Sequence, residues 1–192
     1  MAKWMKVALA CLCLVAVIFG VVACQSYLPR RVQGEVWGLE LLITGDGEFE
    51  ILQTLDIRID GWLYNGMFAR NARFEGLFEI CEYPFTEDSQ ANIFFLGNGL
   101  TGGWMRYSYM DVDIINRPTL RFGTLGTLHT NRRFSSIAIQ VSESERRNDG
   151  TGSSWPTNRV IVAPASCSET ARAVLEANGI GWLDGVGVVR LQ

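Results

Sequence analysis

Asp56-Ile57-Arg58-Ile59-Asp60-Gly61-Trp62-Leu63-Tyr64, followed closely by Arg73-Phe74-Glu75-Gly76-Leu77-Phe78-Glu79-Ile80-Cys81, decides how this chain folds. In the first stretch Ile57 and Ile59 oppose Asp56, Arg58 and Asp60. In the second Phe74, Phe78 and Ile80 oppose Arg73, Glu75 and Glu79, and Cys81 falls on the polar side. A period of two places one face of a strand in a core and the other in water. Asn65-Gly66 closes the first strand with a turn dipeptide.

The same pattern continues on both sides. Residues 36–44 are apolar-rich and end at Gly45-Asp46-Gly47; residues 93–96 form a short apolar run bounded by Gly97-Asn98-Gly99. Residues 104–115 alternate, with Met105, Tyr107 and Tyr109 against Arg106 and Ser108. Residues 120–129 and 134–141 read as a hairpin around Asn131-Arg132-Arg133, residues 143–157 as an exposed polar loop, and residues 160–162 as a further strand. One helix is signalled. Ser166-Cys167-Ser168-Glu169 fits a capping box with Ser166 as N-cap and Glu169 reaching back. Ala171, Val174 and Leu175 supply its apolar stripe, Gly179 after Asn178 stops it, and residues 186–191 return as a last strand. Short strands at roughly ten-residue spacing predict a mainly β fold: an antiparallel sandwich or barrel-like domain with one C-terminal α-helix.

The first 23 residues are of another kind. Twenty of them are apolar, Lys3 and Lys6 are the only lysines of the whole chain, and no acid is present. A charged start and a 17-residue apolar run, 7–23, fit a cleaved signal peptide. An uncleaved membrane helix is the alternative, and seventeen residues lie at its short limit. Both place the remainder outside the cytoplasm. The chain thus divides into a leader at 1–23, a tether at 24–34 and one β-rich domain at 35–192. From Cys24 onward 15 Arg face 20 Asp and Glu, an acidic balance that argues against nucleic acid as a partner.

Val21-Val22-Ala23-Cys24 resembles the lipobox of bacterial lipoproteins. The resemblance implies that Cys24 carries diacylglycerol and further acyl chains such as palmitate, and that the leader is cut before it. The protein is then expected on the extracytoplasmic face of the cell membrane, held to the bilayer through Cys24. Phe74-Glu75-Gly76-Leu77-Phe78-Glu79-Ile80, Arg133-Phe134-Ser135-Ser136-Ile137 and Ile161-Val162-Ala163-Pro164-Ala165 resemble a pattern in uncharacterised β-rich lipoproteins. Those relatives share a location and no assigned activity.

Cys11 and Cys13 lie in the leader, which leaves Cys81 and Cys167 beside Cys24. An even pair in an oxidising compartment allows a disulfide; two free thiols are the alternative. His129 is the only histidine, so multi-histidine metal sites are excluded, and a half-exposed strand position is expected for it. No nucleophile elbow and no phosphate-binding or dinucleotide glycine motif is present, and no cofactor is expected. Asp111 and Asp113 share a strand face, as do Asp56 and Asp60, and Glu75 and Glu79. Such pairs supply the acids of a hydrolase or the oxygens of a calcium site, although solvated strand faces carry them routinely. Trp62 and Tyr64 share a face, and Trp155 stands among Ser153, Ser154 and Pro156, so these three are the aromatic contact residues expected. The reading is a non-catalytic module that binds a protein partner or an envelope component. A carbohydrate-binding module and an envelope hydrolase with paired carboxylates are the alternatives.

Overall fold

Eight strands follow one another around a closed barrel, each antiparallel to the next: β1 (Arg30–Ile43), β2 (Phe49–Tyr64), β3 (Arg73–Ile80), β4 (Gln90–Phe95), β5 (Gly103–Val112), β6 (Pro118–Thr130), β7 (Ile137–Arg146) and β8 (Gly152–Ala163). The computed structural model describes residues 4, 11–17, 20, 28–45, 47–64, 72–95, 102–112, 117–131, 133–146, 152–178, 180–182 and 188–190. Closure is short. β8 meets β1 from Leu39 opposite Val162 to Leu42 opposite Arg159. Of the two architectures the sequence allowed, closure selects the barrel, which leaves few sheet edges open.

The alternating residues fill the inside. Ile57, Ile59 and Leu63 from β2, Phe74, Phe78 and Ile80 from β3, Ile93 and Phe95 from β4, and Met105 and Tyr107 from β5 are buried in one cluster. Phe134, which follows β6, joins it and packs its ring 5.4 Å from that of Phe74. A second cluster lies outside the barrel wall. Leu39 and Leu41 of β1, Ala138 of β7, and Val160 and Val162 of β8 are covered by Ala171 and Leu175 of α1 (Ser168–Ala177) and by Ile180. Strands β9 (Ile180–Trp182) and β10 (Val188–Arg190) then form a separate two-stranded sheet.

Four expectations change. The tether is shorter than residues 24–34, because β1 begins at Arg30 and pairs with β2 from that residue on. Most of the polar stretch 143–157 is strand: β7 runs to Arg146 and β8 starts at Gly152, with Glu143 opposite Trp155. The stretch is mostly polar and lacks the apolar alternation that marks a half-buried strand, so its pairing left no local pattern. The helix cap shifts by one residue. Cys167, not Ser166, is the N-cap, and Thr170, not Glu169, reaches back to its amide at 3.1 Å.

Thr170 also accepts the Ser166 N–H at 3.1 Å and donates to the Cys167 carbonyl at 2.9 Å. Thr170→Val removes all three bonds and is expected to cost about 1 kcal/mol, a few degrees in a thermal melt. Glu169 keeps a low pKa through a hydrogen bond with the Cys167 side chain, helped by Arg172. Its share of helix stability is therefore present above the ordinary carboxylate range and fades as pH falls through it.

The fourth change concerns the cysteines. Cys81 and Cys167 are both free thiols. The Cys81 N–H bonds to Asp56 O, Asp56 pairs with Trp37, and the Trp37 carbonyl takes the N–H of Ala165, two residues before Cys167. Counted along the barrel wall, three strand spacings, about 14 Å, lie between Cys81 and Ala165, so the two thiols follow strands that are not neighbours, whereas bonded Cα atoms lie within roughly 7 Å.

Candidate functional site

At the barrel end away from the start of β1, the interior turns polar. Glu40 sits on β1 in an apolar run and is fully buried. Its Oε1 accepts the Tyr83 hydroxyl at 2.9 Å and the Arg159 Nε–H at 2.7 Å, while Oε2 accepts Gln53 Nε2 at 2.7 Å. A second guanidinium nitrogen completes the ion pair and also donates to the Tyr83 oxygen at 3.3 Å. The group joins β1, β2 and β8 to the 3₁₀ turn Pro84–Thr86 between β3 and β4. Burial, reinforced by the Glu40 charge, pushes the Tyr83 hydroxyl far above its ordinary pKa against the opposing Arg159, so it stays a neutral donor. A carboxylate with both oxygens occupied and a phenol that keeps its proton make a clamp rather than an acid–base pair.

Beside it Phe85 stands edge-on to Tyr83 and Tyr107, with ring centroids 6.1 and 5.5 Å apart. Tyr107 is buried, donates to the Phe78 carbonyl at 2.8 Å, and has its pKa raised by burial. Asp111, one of the proposed acids, lies 2.7 Å from Arg121 in an ion pair. Its companion Asp113 lies outside the described residues. Among the described residues no cluster of His, Cys, Asp or Glu has the geometry to hold a metal ion.

The outer wall carries the aromatic groups. Opposite buried Leu63, Phe74, Ile93 and Met105, the alternate residues face outward at the leader end, where β1 begins. Tyr64 of β2 pairs with Arg73 of β3, Arg73 with Phe94 of β4, and Phe94 with Trp104 of β5, one unbroken cross-strand row. Trp62 stands two residues from Tyr64, opposite Arg31. Trp62, Phe94 and Trp104 are 48%, 44% and 39% exposed. The Arg73 guanidinium lies 4.7 Å from the Tyr64 ring centroid and covers one of its faces.

A second apolar patch lies at the far end. Beyond Ser108, β5 is paired with β6 alone, and this ribbon shows Met110, Leu120 and Phe122 at 64%, 55% and 65% exposure. Met110 is directly opposite Leu120.

Of the residues singled out from sequence, Trp62 and Tyr64 are brought together on one outer face. Trp155 is placed in β8 rather than in a loop, but its side chain lies outside the described residues, as does Cys24. His129 is half-buried on β6. Sequence reasoning missed Phe94 as part of the aromatic row, because Ile93-Phe94-Phe95 reads as a continuous run; it missed the Glu40 clamp, although an acid between Leu39 and Leu41-Leu42 was its signal.

The fold and wall define an eight-stranded antiparallel barrel with a filled interior and an aromatic outer face. Comparison with protein-family models, with curated proteins and with solved structures gives no match.

Proposed function

We propose that this protein is a lipid-anchored, extracytoplasmic binding module, tied to the cell membrane through acylated Cys24 and contacting a protein partner or envelope component with its outer wall. The observation that carries the reading is the joining of a lipobox-like leader, six residues before Arg30, to a barrel packed with apolar side chains. A filled barrel has no interior to offer a ligand, so recognition falls to outward groups. Singly exposed apolar residues are ordinary, whereas the Met110–Leu120–Phe122 ribbon and the Tyr64–Trp104 row with Trp62 beside it are contiguous patches, which mark contact surfaces. Of the alternatives, the hydrolase has the weaker support, since Asp111 is engaged by Arg121.

Metabolic labelling with a palmitate analogue tests the anchor. The wild-type protein is expected to carry the label and to partition with membranes. Cys24→Ser is expected to lose the label entirely and to keep its leader, read as the added mass of residues 1–23. An unlabelled wild type, or a labelled Cys24→Ser, sinks the reading.

A further inference from the structure

We infer that the leader-end aromatic row is a seat for the membrane interface, so that the barrel stands with Trp62, Tyr64, Phe94 and Trp104 among the lipid headgroups. This rests on the anchoring proposed above, and three observations carry it further.

The first is reach. Five residues separate Cys24 from Arg30, at most about 20 Å of extended chain, so an anchored Cys24 keeps the start of β1 close to the bilayer. The row occupies that same end: Tyr64 is the last residue of β2, Arg73 the first of β3, Phe94 the next to last of β4, and Trp104 the second of β5.

The second is chemistry. Tryptophan and tyrosine concentrate at membrane interfaces, where an apolar ring meets a polar edge. Spanning four strands, the row is about 15 Å wide, a patch rather than a single side chain. Arginine flanks it. Arg30 and Arg31 open β1, Arg73 lies over Tyr64, and Arg133 is exposed in the β6–β7 connection at the same end. Two of these charges are shared with acids, Arg31 with Asp60 at 3.0 Å and Arg73 with Glu75 at 3.2 Å. Arginine stems lie along apolar surface while their heads meet phosphate, the arrangement an anionic headgroup layer selects.

The third is contrast. Glu75, Asn92 and Arg106 form the next row along β3, β4 and β5, with Trp62 at its β2 end, so on those three strands the row after Phe94 and Trp104 is polar. A band of aromatic groups bordered by polar side chains sets a depth.

The test uses the full chain, purified from membranes and reconstituted into phosphatidylglycerol–phosphatidylethanolamine vesicles that contain lipid brominated near the headgroups. Bromine quenches tryptophan on contact. The Trp62→Phe, Trp104→Phe double variant is expected to lose about half or more of the bromine-sensitive emission, because interfacial tryptophans are its main source. Trp37→Phe, higher on the outer wall, is expected to retain it, and the melting temperature of each variant shows that the barrel is intact. A double variant quenched as strongly as the wild type overturns the proposal. So does a wild-type emission that bromolipid leaves untouched and a soluble cell-wall glycan alters. The mass of the same sample separates the two readings. Acylated protein without belt quenching refutes the seat alone; protein without acyl chains refutes the anchor, while quenching still reports the seat, since a retained leader ends at the same strand.

Discussion

Arg159→Met is expected to destabilise the barrel by about 3–5 kcal/mol, the usual cost of removing one partner from a buried ion pair. Glu40 is fully buried, and its only cationic partner in the clamp is Arg159; the substitution leaves a carboxylate with Tyr83 and Gln53 as donors. For a domain of this length each kcal/mol shifts the melting temperature by about 2–4 °C, so a fall of roughly 6–20 °C is expected. The double variant Glu40→Leu, Arg159→Met is expected to recover most of the loss, because a buried pair is replaceable by apolar groups of similar size. A single variant that melts with the wild type, or a double variant worse than either single, refutes the clamp.

How much of this was legible follows from what each residue touches. Residues 56–64 and 73–81 alternate because one face of β2 and β3 meets the core and the other meets water, and the sequence records both. Where β1 is covered on both faces, by the barrel inside and α1 outside, alternation vanishes, and Leu39-Glu40-Leu41-Leu42 reads as an undivided apolar run with one acid. Gly61 interrupts the pattern of β2 for a reason outside its own strand. A Cβ there would lie 2.5 Å from Cζ of Phe74, whose ring takes that space. The ribbon of β7 and β8 was hidden because residues 143–157 are mostly polar and carry no apolar alternation, while the pairing of Glu143 with Trp155 joins two strands. The aromatic row was half visible: Trp62 and Tyr64 share a strand, but their neighbours Arg73, Phe94 and Trp104 are joined by pairing across strands, which no local pattern encodes. The cysteines show the converse. Their even number suggested a bond, and only the route through Asp56, Trp37 and Ala165 shows how far apart they lie.

Gly126→Ala is expected to cost about 4 kcal/mol, combining overpacking with a backbone conformation that L side chains seldom adopt. Gly126 has φ +154°, and a Cβ placed on it would lie 1.9 Å from the carbonyl oxygen of Gln140 on β7. That atom is backbone in a paired strand, so no rotamer change relieves the contact. The position matters to closure. β6 carries a bulge here, its register with β5 stepping from Met105–Gly126 to Arg106–Thr124, and the extra residue Leu125 turns into the core. Gly126 is also paired with Val141 in the β6–β7 ladder, beyond which β6 is paired with β5 alone. Pushing β7 away therefore opens the wall at the rung where β6 leaves it. A melting temperature lower by roughly 8–16 °C is expected for a domain of this size. Gly34→Ala supplies the comparison with the same added methyl. Nothing stands within 4 Å of a Cβ at Gly34. Its variant is expected to melt within a degree or two of the wild type, because substitutions that meet no neighbour stay within about 0.5 kcal/mol. Equal melting of the two variants would mean that β6 and β7 are free to separate at the bulge, and that the barrel is not held closed there.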